Sequence, residues 1–168
     1  MTDPTSIEIP QITFFVDGEE VSVPDNGVSL LAALRGRLGV RAPKAGCNPQ
    51  GQCGCCTVLV DGAPRVSCVT PVRRIAGRVI TTVDGLAEED RERWSDALLA
   101  TGGSQCGFCT PGLVVAVHKL LDENPSPAAV EVKEALSGNI CRCTGYGRLV
   151  QAVGDVARAR KDSGANRG

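Results

Sequence analysis

Nine cysteines in 168 residues, at 47, 53, 55, 56, 68, 106, 109, 141 and 143, constrain this chain more than any other feature. They form two groups, 47–68 and 106–143, with 37 cysteine-free residues between them. The odd count would leave one thiol over in any purely disulfide scheme. The N-terminus, MTDPTSIEIP, has neither a basic n-region nor an apolar core, so no secretory signal is read and a cytoplasmic setting is expected. In a reducing compartment clustered cysteines more often ligate metal or carry redox chemistry than form disulfides. Two groups therefore predict two sites.

Charge narrows the class further. Net charge is −1, with eight basic and seven acidic side chains in residues 1–80 and ten and twelve in 81–168. No basic stripe predicts nucleic-acid binding. The longest aliphatic run, Leu113 to Val117, is too short to span a membrane, so no membrane insertion is expected.

The two halves carry different patterns, which predict an α+β fold. Gln11–Val16 and Glu19–Val23 flank Asp17-Gly18, and Thr57–Val60 and Arg65–Val69 flank Asp61-Gly62; both read as hairpins. Leu30, Leu31, Leu34 and Leu38 follow helical spacing, and Val79–Val83 reads as a closing strand. From Glu88 onward four amphipathic helices are expected: 88–100, one from Thr110-Pro111, one from Ser126-Pro127 to about Gly138, and one over Tyr146–Val156. The expected domains are 10–84 and 85–160, with a frayed tail over 161–168.

The first group reads Cys47-x5-Cys53-x2-Cys56-x11-Cys68, close to the plant-type ferredoxin layout of three loop ligands and a distant fourth around a 2Fe–2S cluster. The second offers Cys106, Cys109, Cys141 and Cys143, each pair shortly before a helix start. There, free N–H groups and the helix dipole favour an anionic cluster. Four thiolates also suit structural zinc, although the C-x-C spacing of Cys141 and Cys143 is unusual for it.

Motif order adds a resemblance. QCGFCTPG (105–112) and SGNICRCTGY (137–146), preceded by CGxCTVxVDG (53–62) and Ser67-Cys68, resemble the iron–sulfur subunit of the molybdenum hydroxylases. This is the xanthine dehydrogenase, aldehyde oxidoreductase and carbon monoxide dehydrogenase family. The resemblance covers residues 10–157. It implies an N-terminal β-grasp ferredoxin-like domain and a C-terminal four-helix bundle, each with one 2Fe–2S cluster. It further implies a large molybdopterin-binding partner and commonly a medium FAD-binding one, with Gln105 and Cys143 facing the pterin. The helical-domain cluster would lie nearer the pterin and the first nearer the flavin. No catalytic group is expected in this chain.

Two departures bear on the first site. Five residues separate Cys47 from Cys53 where the family has four, and Cys55 stands where a small residue such as alanine is common. Because Cys53 and Cys56 keep the x2 spacing, Cys55 is expected to be a free thiol beside the cluster. Arg142 is read as an offset to cluster charge, as a contact for a partner subunit, or as a solvated arginine. His118 is expected at the surface or an interface, and Trp94 and Phe108 as packing residues. The competing readings are a zinc-stabilised interaction module and a free-standing ferredoxin-like carrier.

Overall fold

The computed structural model describes residues 9–165. Among them it has one five-stranded mixed sheet and five α-helices, an α+β architecture. The strands are β1 (Gln11–Val16), β2 (Glu19–Pro24), β3 (Thr57–Val60), β4 (Ala63–Val66) and β5 (Val79–Thr81). They are ordered β2-β1-β5-β3-β4. Both expected hairpins form. Asp17 and Gly18 have φ of 51° and 91°, and Asp61 and Gly62 of 49° and 76°. Positive φ at both central residues matches the turn to the strands' right-handed twist. β5 pairs parallel with β1 and antiparallel with β3, closing the gap between the hairpins.

Helix α1 (Leu30–Gly36) covers one face of the sheet. Ser29 caps it by accepting a hydrogen bond from the Ala32 amide at 3.2 Å. Its buried Leu30, Ala33 and Leu34 join Phe14, Val58, Val72 and Ile80 in one apolar cluster. Each large side chain so buried contributes about 1.5–3 kcal/mol.

The other helices are α2 (Glu88–Thr101), α3 (Thr110–Glu123), α4 (Ala129–Ala135) and α5 (Gly147–Ala165). Trp94, Leu98, Leu113, Val117, Leu136, Leu149 and Val153 belong to a second apolar cluster. Helix α4 starts at Ala129, where the Glu131 carboxylate accepts from the Ala128 amide at 2.7 Å.

Three expectations are corrected. The strand expected over Arg65–Val69 ends at Val66, and Ser67–Val69 is a 3-10 turn. Ser67 turns back, its hydroxyl donating to the Cys56 carbonyl at 2.7 Å, which removes it from the ladder. The frayed tail expected from 161 is helical to Ala165, while 166–168 lie outside the described residues. Arg160 pairs with Asp90 at 3.2 Å and Asp122 at 2.9 Å, and Ser163 accepts from Arg93 at 3.3 Å, tying the last turns of α5 to α2 and α3.

His118 is the third correction, because only 8% of it is exposed. Trp94 Nε1 donates to its Nδ1 at 3.3 Å, and Arg160 approaches the same nitrogen at 2.7 Å. Two donors converging on Nδ1 select the neutral ring with its proton on Nε2, which faces Asp122 at 3.6 Å. Desolvation lowers its pKa, opposed by Asp122. Helical position alone gave no sign of this, since the partners come from α2 and α5.

Candidate metal centres

The first cysteine loop runs from Cys47 to Cys56 and is wound back on itself. Cys47 Sγ accepts from the amides of Gln52 and Cys53, each at 3.3 Å, and the Cys47 carbonyl accepts from Gln50 at 2.8 Å. The Cys53 and Gln52 amides hold the Cys47 thiol below its ordinary pKa. Asn48-Pro49 is a cis peptide within this turn. The chain then enters β3 through Gly54. The carbonyl of that glycine accepts from the Thr57 hydroxyl at 2.7 Å, the Thr57 amide at 3.0 Å and the Asn139 amide side chain at 2.9 Å.

Cys68 lies in the Ser67–Val69 turn, packed with Cys56 and Leu31. Burial pushes its thiol up to about 11, reinforced by a hydrogen bond with Cys56. Cys47 and Cys55 both neighbour Cys53, and Cys56 neighbours Cys68. Cys55 is 5% exposed, and burial, followed by its contact with Cys53, drives its thiol up to about 12.

The second set sits on the turns before α3 and α5. Cys109 is the N-cap of α3, one residue earlier than the expected Thr110, whose hydroxyl instead bonds Ser104 at 2.8 Å. The Cys143 thiol lies 3.7 Å from Cys106 Sγ, and both are exposed. Burial, reinforced by the neighbouring Cys141 thiol, pushes the Cys109 thiol up to about 12. Burial opposes ionisation of Cys141, but the Thr144 hydroxyl and amide and the Cys143 amide outweigh it, so its pKa is lowered. In this set Cys106 neighbours Cys143 and Cys109 neighbours Cys141. Gln105 donates to the Cys143 carbonyl at 3.3 Å, clipping the two turns together.

Two residues that the sequence reading did not single out shape this loop. The Tyr146 hydroxyl accepts from the Cys141 amide at 2.9 Å and donates to the Asn139 carbonyl at 2.8 Å. The Ile140 amide donates to the Cys53 carbonyl at 2.9 Å, so a hydrogen bond joins the two cysteine loops. Both residues fall within SGNICRCTGY, which was the available signal. Glycine permits the close approach. A Cβ on Gly112 would run into the Gly54 carbonyl oxygen and lie 3.1 and 3.2 Å from Cys55 backbone atoms.

Both sets open onto a recess of about 260 Å³, lined in part by Cys47, Cys53, Cys106, Cys109, Cys143 and Phe108. Arg142 also lines it, with Ile140 exposed at its rim. Among the described residues, no three His, Cys, Asp or Glu side chains converge on one point suited to a single ion. Four thiols gathered on neighbouring turns in each set fit a two-iron cluster, in which each iron takes two cysteines.

Known proteins give this geometry a class. A model described as "2Fe-2S iron-sulfur cluster binding domain" matches residues 14–87, and one described as "[2Fe-2S] binding domain" matches 82–154. The nicotine 6-hydroxylase small subunit of Paenarthrobacter nicotinovorans is 41% identical over 157 residues, covering 93% of this chain and 94% of that protein. The xanthine dehydrogenase/oxidase of Mus musculus is 34% identical over 92% of this chain, which spans only 12% of that protein. In the crystal structure of quinoline 2-oxidoreductase from Pseudomonas putida 86, one chain superposes with a TM-score of 0.84 at 38% identity. The match covers 92% of this chain and 98% of that one. The chain is thus a 2Fe–2S-type redox protein. It belongs to the family of iron–sulfur subunits of the molybdenum hydroxylases.

Proposed function

We propose that this chain is the electron-transfer subunit of a molybdenum-dependent hydroxylase or dehydrogenase, passing electrons from a partner's molybdopterin centre through two 2Fe–2S clusters to FAD or another acceptor. Cys47, Cys53, Cys56 and Cys68 would hold one cluster, and Cys106, Cys109, Cys141 and Cys143 the other. The observation that carries this reading is the gathering of four thiols in each set, with Cys143 Sγ 3.7 Å from Cys106 Sγ. When bound, a 2Fe–2S cluster supplies a one-electron redox site whose potential follows charge, burial and N–H···S bonds.

The chain's own residues set those terms differently at the two sites. Gln52 and Cys53 present backbone N–H groups to Cys47, stabilising its thiolate. At the second site the Thr144 hydroxyl lies 3.2 Å from Cys141 Sγ and serves the same end. Gln105 and Cys143 lie on the exposed rim with Phe108 and Ile140, which suits docking of the molybdopterin-binding subunit there. A medium FAD-binding subunit is the expected partner on the side of the first set. We read the sheet with α1, residues 10–84, as a ferredoxin-like β-grasp unit and 85–160 as the helical cluster-binding unit.

The test is iron and acid-labile sulfide analysis with electron paramagnetic resonance of the reduced protein. Two distinguishable 2Fe–2S signals per chain are expected. A colourless protein containing zinc would overturn the reading in favour of a structural module.

A further inference from the structure

We propose that an arginine-lined groove beside the first cysteine set is the docking site for an acidic surface on the protein that takes the electron from this chain. The inference rests on the electron-transfer reading above and specifies where the outgoing partner binds.

Residues 62–83 contain four arginines, at 65, 73, 74 and 78, and no acidic residue, in a chain whose net charge is −1. Three of them, Arg65 on β4, Arg74 and Arg78, line a groove of about 300 Å³ together with Val69, Thr70 and Pro71. Arg78 is paired with Asp61 at 2.9 Å. The side chains of Arg65 and Arg74 have no ion pair or hydrogen bond among the described residues. An arginine on edge strand β4 would by itself be explained as a guard against strand pairing. That account does not reach Arg74 and Arg78, which come from a different segment to the same groove.

The position supplies the second half of the argument. Val69 follows Cys68 in the same 3-10 turn, and its side chain packs over Gly51 in the Cys47–Cys53 loop. It is nonetheless 52% exposed. An apolar residue against the cysteine loop, beside the guanidinium groups of Arg65 and Arg74 that no carboxylate pairs among the described residues, has the composition of a protein-docking surface. Complementary charge raises the encounter rate of docking partners and fixes their orientation.

The experiment uses the full chain reconstituted with iron and sulfide, and two protein probes of opposite charge. Flavodoxin hydroquinone is an acidic one-electron donor, and cytochrome c is a basic one-electron acceptor. Stopped-flow mixing of the wild-type chain with flavodoxin should give a rate constant that falls as salt is raised. R65E/R74E should slow that reaction roughly tenfold or more at low salt and speed the reaction with cytochrome c. R65Q/R74Q should fall between, and Lys133→Glu on α4 should change neither rate. Iron content and both paramagnetic signals should match wild type throughout. Equal flavodoxin rates in wild type and R65E/R74E, or an equal loss in Lys133→Glu, would overturn the docking site and leave the electron-transfer reading standing. A wild-type dimer that R65E/R74E converts to monomer would also overturn it, assigning the groove to a second copy. A reconstituted wild-type chain without 2Fe–2S signals would remove the reading and the proposal together.

Discussion

Gly112→Ala should destabilise this protein, although it places a better helix former inside α3. In an open helix the exchange stabilises by roughly 0.5–1 kcal/mol. Here the added methyl meets the Gly54 carbonyl oxygen well inside van der Waals contact, and two Cys55 backbone atoms at 3.1 and 3.2 Å. Backbone atoms cannot rotate aside, so α3 must shift away from the first cysteine loop. Overpacking of this kind costs about 1–3 kcal/mol, and the absence of any flexible neighbour argues for the upper half of that range. After the propensity gain, a net loss of roughly 1–2 kcal/mol remains, or about 2–8 °C in Tm for a chain of this length. Gly154→Ala is the internal control. It lies within α5, and the only nearby atom a Cβ would meet is the flexible end of Arg158 at 3.6 Å. That variant should gain up to about 1 kcal/mol. Thermal melts of the iron-loaded proteins, with urea titrations as a check, read both signs. Gly112→Ala equal to or more stable than wild type would refute the close-approach argument.

Cys55→Ala should keep the visible and paramagnetic spectra of the first site, whereas Cys56→Ala should lose or rearrange them; the opposite pattern would exchange their roles. His118→Ala should cost about 1–3 kcal/mol in urea titration, because it leaves the Trp94 N–H and Arg160 without their shared acceptor. Since burial lowers the folded pKa of His118 below 6.5, the unfolded chain binds the extra proton first as pH falls. Stability should therefore drop as pH is lowered through 6.5 towards the folded pKa, and that slope should shrink in His118→Gln. Tyr146→Phe should speed the loss of iron from the second site to a chelator, because it unties the Cys141 amide and the Asn139 carbonyl together.

Local chemistry made much of this fold legible. Asp-Gly pairs located both hairpins, and apolar spacing located α1, α2, α3 and α5, because those signals depend only on neighbours in sequence. The Ser67–Val69 turn was hidden because the cause of its departure from β4 is the Cys56 carbonyl eleven residues earlier. His118 was misjudged for the same reason, its burial being set by Trp94 and Arg160 from other helices. The cysteine sets were readable from spacing, yet their gathering in space and the groove formed by Arg65, Arg74 and Arg78 exist only after folding.

The hydrogen bonds from Ile140 to Cys53 and from Asn139 to Gly54 bear on how such chains can be recombined. The matched domains overlap at residues 82–87, a seam that invites exchange of halves between relatives. The contact that matters lies elsewhere, where Gly54 meets Gly112 and Asn139. A hybrid that takes its sheet from one parent and its helices from another must inherit Gly54, Gly112 and Asn139 as one set. A parent with a larger residue at position 112 would supply two sound halves that cannot close on each other.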